Sequence, residues 1–231
     1  MSGQHVKIRA SGGGEFDCYL ALPEGTAKAP AVVMASAVHG VNADIRGIAG
    51  VFAAAGYIAV APDMFWRTIP GPIARGDTRS AERSQPRLSV VKTSETDISD
   101  TLAMVKKLPQ HNGKAAAMGF CFGGPYAVLG PKRLGFDAGI GCHSTQMKDF
   151  LPELDGMTKP VCIIWGDQDR AAPLDVQAAY LEKAKAIASL QVHIFPGILH
   201  GYMMRENVEA WDETTYNFSM EKALGILKAL R

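Results

Sequence analysis

The residues best equipped for chemistry are a cysteine set among glycines: Met118, Gly119, Phe120, Cys121, Phe122, Gly123, Gly124. A small-residue, strand-like run over 114–118 leads into Gly-x-Cys-x-Gly-Gly, and a helix-compatible run follows. This is the form of a nucleophile elbow, with Cys where the commoner motif has Ser. The tight turn from strand to helix pushes one side chain into a strained conformation, and glycines beside it leave room for the bend. At the head of a helix, free N–H groups and the macrodipole favour a thiolate and an incoming oxyanion. Gly-rich turns are common in α/β folds and free cysteine is often simply buried, so the motif needs partners elsewhere in the chain.

A thiol nucleophile needs a base within hydrogen-bond reach and a group to orient that base. The strand predicted over 161–165 ends in Gly166, Asp167, Gln168 and Asp169. The strand predicted over 192–195 runs out through Pro196 and Gly197 to His200 and Gly201. The order Cys121, Asp169, His200 matches nucleophile, acid and base in α/β-hydrolases. His200 would take the thiol proton, and Asp169 would fix its tautomer and stabilise the imidazolium. Asp169 is preferred to Asp167 because it lies further past the strand end, where a carboxylate can reach the neighbouring loop. Asp167 reads as a residue that holds the turn. An oxyanion hole needs two backbone donors aimed at one point. The N–H of Phe122 is the first, and Val38, in the loop from Ser36 to Gly40, is the candidate second. His39 in that loop either lines the site or packs beside its entrance.

The elements that must place these residues alternate in type. Strands are predicted over 6–8, 16–22, 31–35, 57–61, 114–118, 138–141, 161–165 and 192–195, the first two joined by a Gly-rich turn. Helices are predicted over 44–55, 97–108, 174–187 and 206–230 from apolar spacing such as Ile45, Ile48, Val51 and Phe52. The continuous apolar runs suit strands buried on both faces. The expected fold is α/β: a mostly parallel, doubly wound sheet of about eight strands flanked by helices, in one domain over 1–231. The segment 65–91, rich in Pro and Arg, breaks this rhythm. It reads as a lid-like excursion beside the site, because it leaves the carboxyl end of the 57–61 strand.

Composition narrows the function classes. A net charge of +1 gives no basic field for nucleic acid or an anionic membrane. No apolar run reaches the length of a membrane span, and residues 1–8 lack the apolar centre of a signal peptide. The four cysteines form no C-x-x-C pair, so neither a metal site nor a disulfide framework is read, and a reducing cytoplasm is expected.

Over most of its length the chain resembles the dienelactone hydrolase (carboxymethylenebutenolidase) family of α/β-hydrolases. The resemblance rests on His39-Gly-Val-Asn-Ala-Asp-Ile-Arg46, Gly56-Tyr-Ile-Ala-Val-Ala-Pro-Asp63, Gly119-Phe-Cys-Phe-Gly-Gly124, Gly166-Asp-Gln-Asp169 and His200-Gly-Tyr-Met-Met-Arg205. The Cys elbow with Gly-Val-Asn-x-x-Ile-Arg is fairly specific; the Asp and His pieces are generic to the superfamily. The resemblance implies a compact monomer that hydrolyses a small ester or lactone, with a Cys121, His200, Asp169 triad and no cofactor. The family often carries a Glu that helps ionise the thiol, and Ala37 stands at that position here. Thiol activation then falls to His200 or to a different group. The family also uses arginines to hold a substrate carboxylate, which a guanidinium does bidentately. Candidates are Arg205, and Arg79 or Arg83 ahead of Arg87, with Trp66 and Tyr126 as an apolar wall. Two other readings are a broader thiol carboxylesterase for small neutral esters and a ligand-binding or redox-sensing relic whose Cys121 is oxidised rather than catalytic.

Overall fold

The structure is a computed structural model and describes residues 3–231. Eight strands form one sheet in the order β1-β2-β4-β3-β5-β6-β7-β8. They are β1 (Gln4–Arg9), β2 (Glu15–Ala21), β3 (Ala29–Ala35), β4 (Ile58–Pro62), β5 (His111–Phe120), β6 (Ala138–Cys142), β7 (Val161–Gly166) and β8 (Leu190–Phe195). β1 and β2 form an antiparallel hairpin and β2 runs antiparallel to β4; every pair from β4 to β8 is parallel. The direction of winding reverses between β3 and β5, so the carboxyl end of β5, where Cys121 follows, lies at the crevice that such sheets use for ligands.

Helices cover both faces, as buried parallel strands require. α1 (Ala43–Ala54) and α6 (Glu213–Ala229) pack on one face through Ile45, Ile48, Phe52, Tyr216, Met220 and Leu227. α3 (Arg87–Val105), α4 (Tyr126–Arg133) and α5 (Leu174–Ala186) cover the other, with the short α2 (Arg79–Arg83) before α3. Asn42 starts α1 by accepting the Ile45 N–H at 3.2 Å. Among the described residues no helix is long and apolar enough to cross a membrane.

Two helix starts differ from the sequence reading. α3 begins at Arg87, ten residues before the predicted 97, so α2 and the first turn of α3 lie inside the segment 65–91. Its buried stripe includes Ser94, Asp97 and Thr101, and that polarity hid the helical period. Each finds partners inside: Ser94 donates to the Met64 carbonyl, Thr101 to the Asp97 carbonyl, and Asp97 accepts from Trp66 and Arg67 through Oδ2, its Oδ1 being left buried without a partner. α6 begins at Glu213 rather than 206, because Asp212 caps it by accepting the Thr215 N–H at 2.7 Å. Residues 206–212 form turns, and the Arg205 and Glu206 N–H groups donate to Asp44.

Candidate active site

The turn after β5 is built by close approach of backbones. A side chain at Gly119 would meet the Gly123 carbonyl oxygen at 2.1 Å, and one at Gly123 would meet that of Ala35 at 2.2 Å. Only glycine lets the turn fold this tightly against β3. Cys121 itself carries the strain, with φ of +50°, in the left-handed region that residues with side chains seldom enter. Its carbonyl accepts from the Gly124 and Thr145 N–H groups, each at 3.0 Å, and from the Thr145 hydroxyl at 3.1 Å. These bonds hold the strained residue with its thiol toward the crevice.

His200 and Asp169 arrive from the loops after β8 and β7. His200 Nδ1 lies 2.9 Å from Asp169 Oδ1 and 2.8 Å from Oδ2. The Asp169 side chain is fully buried and also accepts the Ala171 N–H at 2.9 Å, so its direction is fixed. Asp167 instead holds the turn, accepting from Gly197 N–H at 2.8 Å and from Gln168. The Cys121 thiol neighbours the His200 ring, and the two groups shift each other's proton affinity. Burial disfavours the imidazolium, but the bonds to Asp169 and Cys121 outweigh it and raise His200 to about 10. Burial likewise disfavours the thiolate, yet His200, the charge of Arg87 and the Phe122 N–H bring Cys121 below its ordinary value.

The structure brings together Cys121, His200, Asp169 and the Phe122 N–H, and packs Val38 against the same apolar cluster as Cys121 and Phe122. The loop carrying Val38 is tied to the elbow, because Gly123 N–H donates to the Ser36 carbonyl at 3.1 Å. His39 stands on that loop and is kept neutral by burial and by the nearby charges of Arg75 and Arg83.

The other expected binding residues are engaged elsewhere. Arg79 is exposed and paired with Asp77 at 2.6 Å. The Arg83 side chain is sealed from solvent, with its guanidinium 4.3 Å above the Phe65 ring and one nitrogen on the Gly71 carbonyl at 2.7 Å. Arg205 lies over Trp211 at 4.5 Å. Trp66 stacks on Phe16 and donates to Asp97. Tyr126 is buried, with its hydroxyl on the Val91 carbonyl. Trp66 and Tyr126 are held by partners some thirty residues or more away in sequence, Phe16, Asp97 and Val91, whereas Arg79 and Arg205 are taken by near neighbours, Asp77 and Trp211.

Two residues beside the site were missed or ranked low. Arg87 is the arginine that faces Cys121, although the sequence placed it behind Arg79 and Arg83. His143 follows β6 with φ of +39°, its ring edge-on to His200 at 5.0 Å and both ring nitrogens buried without a partner. Burial and the adjacent His200 push it well down, so it stays neutral. The motif Cys142, His143, Ser144 gave no signal, because only the register of β6 beside β5 brings it near Cys121.

Comparison with known proteins places this chain in a wider group. The family model described as the dienelactone hydrolase family matches residues 16–230. The chain is 26% identical over 235 residues to carboxymethylenebutenolidase 1 of Cupriavidus pinatubonensis, covering 100% of this chain and 99% of that one. It is 26% identical over 205 residues to the carboxymethylenebutenolidase of Pseudomonas putida, covering 87% and 86% of the two chains. Its fold matches that of a dienelactone hydrolase-like promiscuous phosphotriesterase from metagenomic libraries, with a TM-score of 0.80 at 17% identity, covering 100% and 99% of the two chains.

Proposed function

The chain belongs to the dienelactone hydrolase family and is a hydrolase of esters or lactones, and from that premise we propose that it works through a Cys121 acyl-enzyme. The observation that carries this reading is one continuous line of contacts. Cys121 sits on the strained elbow beside His200, and Nδ1 of His200 bonds to the buried Asp169 carboxylate. Asp169 raises the proton affinity of His200 while that of the Cys121 thiol is lowered, so His200 is suited to take the thiol proton and leave a thiolate to attack.

The thiolate forms a bond to the substrate carbonyl carbon, and the N–H groups of Phe122 and Val38 receive the oxyanion. Each such donor contributes about 3 kcal/mol in a water-poor site. As the tetrahedral species collapses, the C–O bond breaks and the leaving oxygen takes the proton from the His200 imidazolium. Neutral His200 then takes a proton from water, whose oxygen attacks the thioester. The second collapse releases the acid and restores the thiolate beside the imidazolium. Asp169 keeps the ring in the one tautomer that allows both transfers.

A second reading, hydrolysis of small neutral esters, is favoured by the ion pair of Arg79, the burial of Arg83 and the aromatic stacking of Arg205. The test is steady-state hydrolysis of a dienelactone and of a neutral aryl ester by the wild-type chain and Cys121→Ala. Turnover of the dienelactone that disappears in the folded variant is expected. Turnover of neutral esters alone would favour the second reading, and unaltered turnover in Cys121→Ala would remove the thiol from the mechanism.

A further inference from the structure

The segment that reads as a lid contributes a charge to the elbow. Arg87, the first residue of α3, donates from Nη1 to the Thr145 hydroxyl at 3.0 Å. That hydroxyl donates to the Cys121 carbonyl at 3.1 Å. The guanidinium carbon stands 5.9 Å over the ring of Phe122, the next residue after Cys121. One hydrogen-bonded bridge therefore fixes a permanent cation beside the nucleophile candidate.

Nothing else in the local structure explains the cation. α3 has no acidic residue in its first turn, and a cation at a helix N-terminus opposes the macrodipole. Arg67, Arg79, Arg83 and Arg133 each pair with a carboxylate. Among the described residues Arg87 has no such partner, and its charge remains available to the thiol.

We propose that Arg87 holds Cys121 in its ionised form, its guanidinium anchored through Thr145 to the Cys121 carbonyl. The inference rests on reading Cys121 as the nucleophile. The groups that face the thiol are few. His200 acts on the thiol from the loop after β8, with Asp169 behind it from the loop after β7. The Phe122 N–H, next along the elbow, also favours the ionised thiol. His143, after β6, touches His200 and is neutral; His39, on the β3 loop, is also kept neutral. Arg87 is thus the permanent positive charge of the set, and an opposite charge at this range favours the ionised thiol. It acts at every pH at which the fold persists, because a guanidinium does not lose its proton.

The experiment is the pH profile of iodoacetamide labelling at Cys121, read on the Cys121 peptide by mass spectrometry, in wild type, Arg87→Met, Arg87→Gln and Arg87→Lys. The wild-type midpoint is expected below the ordinary thiol value of 9.0. Arg87→Met raises it by about one pH unit, and labelling below the midpoint slows by about tenfold. Arg87→Gln, which can still reach Thr145 but carries no charge, shifts it equally and serves if the Met variant fails to fold. Arg87→Lys returns most of the shift. Neutral variants with the wild-type midpoint would overturn the proposal, as would a Lys variant displaced as far as the Met variant. An ordinary midpoint in the wild type would overturn both this role and the nucleophile assignment. A low midpoint raised by Arg87→Met, in a protein whose Cys121→Ala variant still turns over, supports the Arg87 role and removes only the nucleophile assignment.

Discussion

Cys121 and Cys142 are near neighbours at the ends of adjacent parallel strands, with Cys142 in register with Phe120, yet their surroundings drive them in opposite directions. Both are buried. The Cys142 thiol is pushed up to about 12 by burial, which the Tyr202 hydroxyl only partly offsets. Cys162, on β7, is pushed up to about 12 for the same reason, and Cys18 is raised as well. Burial acts on Cys121 too and is the largest influence there, but His200, Arg87 and the Phe122 N–H together outweigh it. Enclosure alone makes a thiol inert. Reactivity comes from the few polar groups that a sheet can present only beyond its strand ends, where backbone N–H groups and charged loops are free to face inward.

Asp169→Asn should break that contrast most strongly. The carboxylate binds His200 Nδ1 through both oxygens, and an amide there can offer an N–H and select the wrong tautomer. The expected loss in kcat is roughly 10³–10⁴-fold, with the fold retained. The thiol should also move toward the behaviour of Cys142, since the charge on His200 depends on Asp169. Asp167→Asn is the control. Its acceptor role toward Gly197 survives in an amide oxygen, so its rate should stay close to wild type. If the two variants exchanged these outcomes, Asp167 would be the orienting acid.

The sheet-interior side of the contrast is readable as stability against pH. An unfolded thiol ionises from its ordinary value of 9.0, whereas folded Cys142 keeps its proton to about 12. The raised folded value means that stability is fully present below pH 9 and is lost as pH rises toward 12. Each such thiol steepens the decline by about 1.4 kcal/mol per pH unit in that window. Cys142→Ala should therefore flatten the fall of urea midpoints between pH 9 and the alkaline limit, whatever the small cavity costs at neutral pH. An unchanged slope would mean that Cys142 ionises in the folded protein like an ordinary thiol.

The same division explains what could be read from the sequence. The strands of the parallel sheet were legible because burial on both faces leaves continuous apolar runs, as in β3 and β7. The elbow was legible because glycines were needed at Gly119 and Gly123 for backbone contact, which is a local demand. Cys121, His200 and Asp169 could be listed because each follows a strand end, and the structure brings them together. The start of α3 was hidden because its buried stripe is partly polar, with partners such as Met64 and Trp66 that lie some thirty residues away. The order of the arginines was unreadable for a related reason. Arg83 and Arg87 are one helical turn apart in number, but one is sealed over Phe65 and the other reaches Thr145, a residue contributed by the far side of β5. Three-dimensional neighbours of that kind leave no spacing pattern in the chain.

The smallest expected effect is the sharpest probe of the proposed role of Arg87. Thr145→Val preserves shape but removes the hydroxyl that links Arg87 to the Cys121 carbonyl. That carbonyl retains the Gly124 and Thr145 N–H donors, so the strained residue stays anchored. Arg87 is only half-buried, so water can replace its lost acceptor. The stability cost should be about 1 kcal/mol, the usual contribution of one intramolecular hydrogen bond. The charge remains on α3 but is less tightly placed, so the Cys121 labelling midpoint should rise by roughly half a pH unit or less. A shift as large as that of Arg87→Met would mean that the cation is useless unless held at this one point. No shift would mean that packing against Phe122 alone places it. The intermediate value is expected because Coulomb interactions fade gradually with distance, whereas the burial that dominates Cys142 is offset only in part by the Tyr202 hydroxyl and by no charge.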